Sequence, residues 1–143
     1  MKFESNWKYK TLENLEKDFW GEPQYSSHLV TTCHQLRKKQ LKDFEVEDLR
    51  IMIGQNIGLN YLIPIALEVL QSNILAEGDF YEGDLLKNVL TSETEYWKRE
   101  KDNWETMCNI FLHNISELET FDTTKQIRNG WFESFQKFEK LSN

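Results

Sequence analysis

The stretch Val46–Leu86, VEDLRIMIGQNIGLNYLIPIALEVLQSNILAEGDFYEGDLL, joins the most apolar run of the chain to its densest cluster of acids. That pairing predicts a buried core beside a charged surface. From Leu59 to Leu70 the apolar residues go all the way round, the pattern of a central helix buried on most sides. Pro64 either starts the regular helix, where its missing N–H is tolerated, or kinks a longer one. Gly54 and Gly58, four apart, either let another backbone approach closely or serve a loop that needs glycine.

Helical spacing continues on both sides of this run. Upstream, Thr11 is placed to cap a short helix whose Leu12, Leu15 and Phe19 share a face, with Gly21-Glu22-Pro23 as the stop. A second helix is expected after Ser26, running to about Lys38 with Leu29, Val30, Cys33 and Leu36 on its apolar face. Arg37, Lys38 and Lys39 crowd its last turn, where cations suit the helix dipole. Val46, Leu49, Ile53 and Ile57 carry the pattern into the central run. Downstream, Ser92 and Glu95 have capping-box spacing, and Trp97, Trp104, Phe111 and Leu118 recur every seven residues. Met107, Cys108 and Ile115 fill that stripe, predicting one helix of about seven turns. Thr123 and Gln126 repeat the signature before Ile127, Trp131, Phe135 and Phe138, and the short Phe121-Asp122 turn predicts two antiparallel helices. The expectation is a single all-α domain, a bundle of six or seven helices around a mostly buried central one, with no strand.

Composition agrees with such a domain. The 143 residues suffice to bury about two-thirds of the surface the unfolded chain would expose. Hydrophobic residues make up 39% and charged residues 29%, which predicts a packed, folded chain. Between Leu41 and Glu95 stand eleven acids against Lys42, Arg50 and Lys87, a local charge of −8, while the remainder carries +1. The net charge of −7 thus comes from one region. Such a field argues against direct binding to nucleic acid or to an anionic membrane and favours a basic protein partner. MKFESNWKYK lacks a signal-peptide core, and Leu59–Leu70 is too short and too interrupted to span a bilayer, so the cytoplasm is the expected compartment.

The residues with catalytic chemistry form no recognisable motif. Cys33 and Cys108 fall on apolar stripes and are expected to be buried thiols. His28 and His34 are six apart, and Cys108 and His113 five, so neither pair shares a helical face squarely enough for zinc. Gly54–Gly58 lacks the Lys and Ser or Thr of a phosphate loop. The aromatic stripe of the last helices sits at core spacing without the basic groove of a nucleic-acid stacking platform. No cofactor is expected. The strongest polar signal is Glu77-Gly78-Asp79-Phe80-Tyr81-Glu82-Gly83-Asp84. Its spacing does not match an EF-hand calcium loop. Asp79 or Asp84 can cap the following helix, leaving Glu77, Glu82 and the second Asp without structural work. Close carboxylates repel, and a partner's Lys or Arg would offset that cost.

Several consecutive blocks carry a resemblance over about residues 10 to 90. Thr11-Leu12-Glu13-Asn14-Leu15-Glu16-Lys17, Trp20-Gly21-Glu22-Pro23, Leu36-Arg37-Lys38-Lys39 and Glu47-Asp48-Leu49-Arg50 come first. Ile53-Gly54-Gln55-Asn56-Ile57-Gly58-Leu59, Pro64-Ile65-Ala66-Leu67-Glu68-Val69-Leu70 and Gly78-Asp79-Phe80-Tyr81-Glu82-Gly83-Asp84-Leu85-Leu86 follow in order. Together they resemble the immunity proteins of bacterial contact-dependent growth inhibition (CDI) systems, while the tail from Thr91 matches only as a helical region. The resemblance implies a small cytoplasmic inhibitor, not an enzyme, that binds and blocks a cognate toxin domain. Toxins of these systems are often nucleases, which need positive charge to grip phosphates, and the acidity then has a partner. Expected contacts are Glu77, Asp79, Tyr81, Glu82 and Asp84, supported by Glu45, Glu47 and Asp48. A metal-dependent hydrolase using the same carboxylates, or a helical adaptor, is the alternative.

Overall fold

In the computed structural model, residues 3–24 and 27–142 are described; Met1, Lys2, Tyr25, Ser26 and Asn143 lie outside the described residues. The second helix, expected after Ser26, begins at His28, with Ser27 Oγ accepting from Val30 N at 3.2 Å. The α-helices are α1 (Leu12–Glu16), α2 (His28–Leu36), α3 (Val46–Gly54), α4 (Leu59–Ser72), α5 (Asp84–Leu90), α6 (Thr94–Arg99), α7 (Lys101–His113), α8 (Ile115–Thr120) and α9 (Lys125–Glu139). Short 3-10 turns lie at Trp7–Tyr9, Leu41–Asp43 and Lys140–Ser142. The fold is all-α, and the described residues hold no strand beyond a single antiparallel bridge between Glu77 and Glu82.

Leu59, Leu62, Ile63, Ala66, Leu67 and Leu70 recur at the helical period and bury one face of α4 against α3, α5 and α7. Each of the leucine and isoleucine side chains contributes about 1.5–3 kcal/mol when removed from water. The opposite face is shielded by the N-terminal segment: Tyr61 packs beside Phe3 and Trp7, and Lys8 pairs with Glu68 at 3.0 Å. Pro64 does not start the helix. It stands inside α4, five residues beyond Leu59, so the Asn60 carbonyl loses its helical donor while the helix continues to Ser72. Gly58 is the loop glycine, while Gly54 is approached by a side chain and not by another backbone. Gly58, at φ +68, caps α4 in the left-handed region, whereas at Gly54 a β-carbon would press on the Asn88 side chain of α5. The short α5, with Leu85, Leu86, Val89 and Leu90 buried, lies between α3 and α9 and is as central as α4.

The C-terminal helix predicted as one piece is three. It breaks at Glu100 (φ −104, ψ 71) and at Asn114 (φ −116, ψ 15). At Asn114 the side-chain amide donates to the Ile110 carbonyl at 2.7 Å, taking the acceptor that its own backbone N–H would use. That N–H turns to Phe111 instead. The heptad stripe nevertheless survives both breaks, since Trp97, Phe111 and Leu118 are fully buried. Ser92 caps nothing; buried, it donates to the Val89 carbonyl and accepts from Trp97 Nε1. The final helix is capped by Thr124, one residue later than the spacing suggested, its Oγ1 accepting from Ile127 N at 3.1 Å. Trp104 meets Phe138 while Phe111 stacks on Phe135 at 4.0 Å, so α7 and α9 run antiparallel.

The N-terminal third departs further from expectation. Thr11 does cap α1, but Lys17 turns left-handed at φ 55 and ends it, leaving Phe19 outside the helix and exposed. Leu29 is exposed as well, and α2 buries only Cys33 and Leu36. Arg37 is not a surface cation answering the helix dipole. It is 1% exposed, bound to the Glu16 carboxylate and the Asp18 carbonyl and stacked on Trp20 at 4.4 Å. A sequence pattern of three adjacent bases cannot show that one of them turns inward.

Candidate functional site

The acidic loop between α4 and α5 is built inward from Asp84. Ile74, Leu75 and Ala76 are buried and anchor its start, and Gly83 N returns to the Leu75 carbonyl at 3.2 Å to close it. Asp84 opens α5 but does not cap it; Gly83, at φ +88, is the capping residue. The Asp84 carboxylate turns back on the loop and accepts from Gly78 N (2.8 Å), Phe80 N (3.1 Å) and Tyr81 N (3.3 Å). Three backbone donors that water would otherwise hold are thereby satisfied by one 2%-exposed side chain. Trp131 completes the base, its Nε1 donating to the Gly83 carbonyl at 3.1 Å.

Arg50 on α3 ties this loop to the rest of the acids. Its guanidinium makes a two-pronged pair with Glu47, 2.6 Å on each arm, and lies 3.7 Å from Asp84. Glu47 in turn accepts from Asp79 N at 2.8 Å. The Arg50 fork holds the Glu47 carboxyl below the ordinary range, and the same pair raises Arg50. Burial, reinforced by Asp84, pushes the Tyr81 phenol up. Phe80 closes the arrangement from outside, with the Arg50 guanidinium 4.0 Å from its ring centre. One face of that ring is used, yet the residue remains 72% exposed.

The expected contact residues therefore separate by role. Glu77, Asp79 and Glu82 are exposed and Tyr81 is half-buried, all on one short loop. Glu45 is exposed at the α3 N-terminus, where its backbone N–H donates to Asp48 Oδ2 at 2.9 Å. Asp48 is also paired with Lys39 at 2.7 Å, and that bond raises the Lys39 ammonium. Asp84, Glu47 and Asp48 are spent on internal bonds, so they shape the surface from beneath it.

Two residues of the site escaped sequence reasoning. Arg50 stood three after Glu47, a helical pairing distance, but counted only as one of few bases in an acidic region. Phe80 has no large apolar neighbour three or four residues away, the mark of an aromatic that no helix face will bury.

The surface offers charge and shape. Among the described residues no group of three or more His, Cys, Asp or Glu is placed to hold a metal ion. Cys33 and Cys108 are buried free thiols, the second pushed up to about 11 by burial. A concavity of about 630 Å³ lies away from the loop beside Trp7, Pro64 and Arg99. No helix of the described residues is long and apolar enough to cross a membrane. A family model described as CDI immunity proteins matches residues 14–107, about two-thirds of the chain. No curated protein and no solved structure matches.

Proposed function

Because this chain belongs to the CDI immunity protein family, whose members neutralise a cognate toxin, we propose that it acts by stoichiometric binding through the acidic loop. The toxin, on this reading, is a nuclease with a basic phosphate-gripping surface, and the inhibitor works in the cytoplasm as a single non-enzymatic domain. The observation that carries the reading is the bonded presentation of Phe80 among Glu77, Asp79 and Glu82 by the Arg50–Glu47–Asp84 cluster. Exposed carboxylates speed encounter with a basic surface, and an aromatic held in place supplies slow dissociation. Pre-organisation matters because a loop already ordered loses little entropy on binding. Direct contacts are assigned to Glu77, Asp79, Phe80, Tyr81 and Glu82, with Glu45 at the margin; Glu47, Asp48 and Asp84 hold them in place.

The test is to mix the protein with its cognate CDI toxin domain. A 1:1 complex is expected, with an association rate that falls as salt is raised. Phe80→Ala is expected to hasten dissociation, and Asp79→Asn with Glu82→Gln to slow association. Failure to form any complex, together with normal killing of cells that make the protein, would overturn the reading.

A further inference from the structure

One stretch of α9 is bare where it faces α5. Gly130 places no side chain there, and Lys87 lies over the gap with its Nζ 3.4 Å from where a β-carbon would stand. One turn on, Ser134 is 9% exposed, lines the same groove and makes no side-chain hydrogen bond among the described residues. The groove holds about 410 Å³ over an apolar floor of Leu90, Phe138 and Leu141, and it continues into a hollow flanked by Lys125. Lys87, Lys125 and Lys137 pair with no carboxylate within 4.0 Å among the described residues, and Glu133 is the one acid lining either hollow. A cationic, apolar-floored groove is the inverse of the net charge of −7 around it.

We propose that this groove receives the 77–84 loop of a second copy of the chain. The loop carries what the groove lacks: an exposed aromatic ring, Phe80, for the apolar floor, and Asp79 and Glu82 for the lysines. The loop and the groove are also neighbours in each copy. Trp131 bonds the Gly83 carbonyl, and Gly130 beside it packs against Lys87. A two-fold axis between them lets each copy give a loop and take one, so both contacts form together. The second copy and the toxin then compete for one loop, a consequence that rests on the toxin-binding reading; the pairing itself does not.

The purified full-length chain, without toxin, is examined by sedimentation velocity from low to high micromolar concentration. The expected mass rises with concentration from 17.2 kDa toward twice that value. Phe80→Ala should weaken the pairing by about tenfold or more. The decisive experiment is a charge exchange between Lys87→Glu/Lys137→Glu, whose groove repels its own loop, and Asp79→Lys/Glu82→Lys, whose loop is repelled by its own groove. Each should remain monomeric alone with an unchanged melting curve, and an equimolar mixture should recover the dimer. A wild-type mass that never rises, a dimer indifferent to these variants, or a mixture no tighter than its components overturns the proposal. Because no toxin is present, that outcome leaves the toxin reading standing, and failure to capture toxin would leave the dimer standing.

Discussion

Arg50 shows how one side chain converts an acidic run into a defined surface. Removing its guanidinium leaves Glu47 and Asp84 facing each other across a half-buried gap with no cation between them. Arg50→Met should therefore destabilise the fold by about 2 kcal/mol, less than for a fully buried pair because water reaches the site. Urea unfolding checks this; a midpoint unchanged from wild type would remove Arg50 from its central role. Gly83 is the second sensitive position, for a different reason. Its φ of +88 disfavours any β-carbon, and one placed there would collide with the Trp131 ring. Gly83→Ala is expected to cost about 2–4 kcal/mol, read by thermal unfolding and by loss of native Trp fluorescence. Phe80→Ala, by contrast, removes a ring that is mostly exposed and should shift stability by no more than about 0.5 kcal/mol. These residues differ in how much of them the chain alone reveals: the three-residue spacing to Glu47 was a local signal for half of the Arg50 cluster, while nothing local marked Asp84 as its second partner or Trp131 as the neighbour of Gly83.

At the scale of elements, the loop and α3 are one electrostatic unit. Glu47 has its folded-state pKa lowered below its ordinary value of about 4.5, chiefly by the bond from Arg50. A lowered carboxylate stabilises the folded state fully above its unfolded value and loses that contribution as pH falls through the folded one. Acid below about pH 4.5 should thus loosen the loop before the bundle unfolds, seen as faster amide exchange at Asp79, whose N–H is held by Glu47. Glu47→Gln should flatten the acid limb of the stability curve; an identical limb in the variant would count against the assignment. The helices repeat the same lesson. Apolar period placed the stripe of Trp97, Phe111 and Leu118 correctly, but the breaks at Glu100 and Asn114, the second driven by side-chain competition for the Ile110 carbonyl, leave the period intact and so do not show in it.

Across the whole molecule, stability rests on the buried cluster, and the proposed recognition surface is its acidic edge. Phe135 stacks on Phe111 at 4.0 Å with the rings nearly parallel, so Phe135→Ala should destabilise by about 3–4 kcal/mol while the loop keeps its partner contacts. Chemical unfolding, paired with toxin binding below the transition, separates the two effects. The all-α class, the central apolar helix α4 and the acidic field were legible in the sequence, because each follows from residue type and spacing within a few turns. Which carboxylates remain free was not legible. Asp84, Glu47 and Asp48 carry the same formal charge as their exposed neighbours, and only the approach of Arg50, Lys39 and the 78–81 backbone consumes them. The inward turn of Arg37, the bare stretch of α9 against Lys87 and the outward Phe80 belong to the same class. Short-range period sets where an apolar face lies, whereas the partner of a charge is chosen by elements distant in sequence, and that choice exists only once the chain is folded.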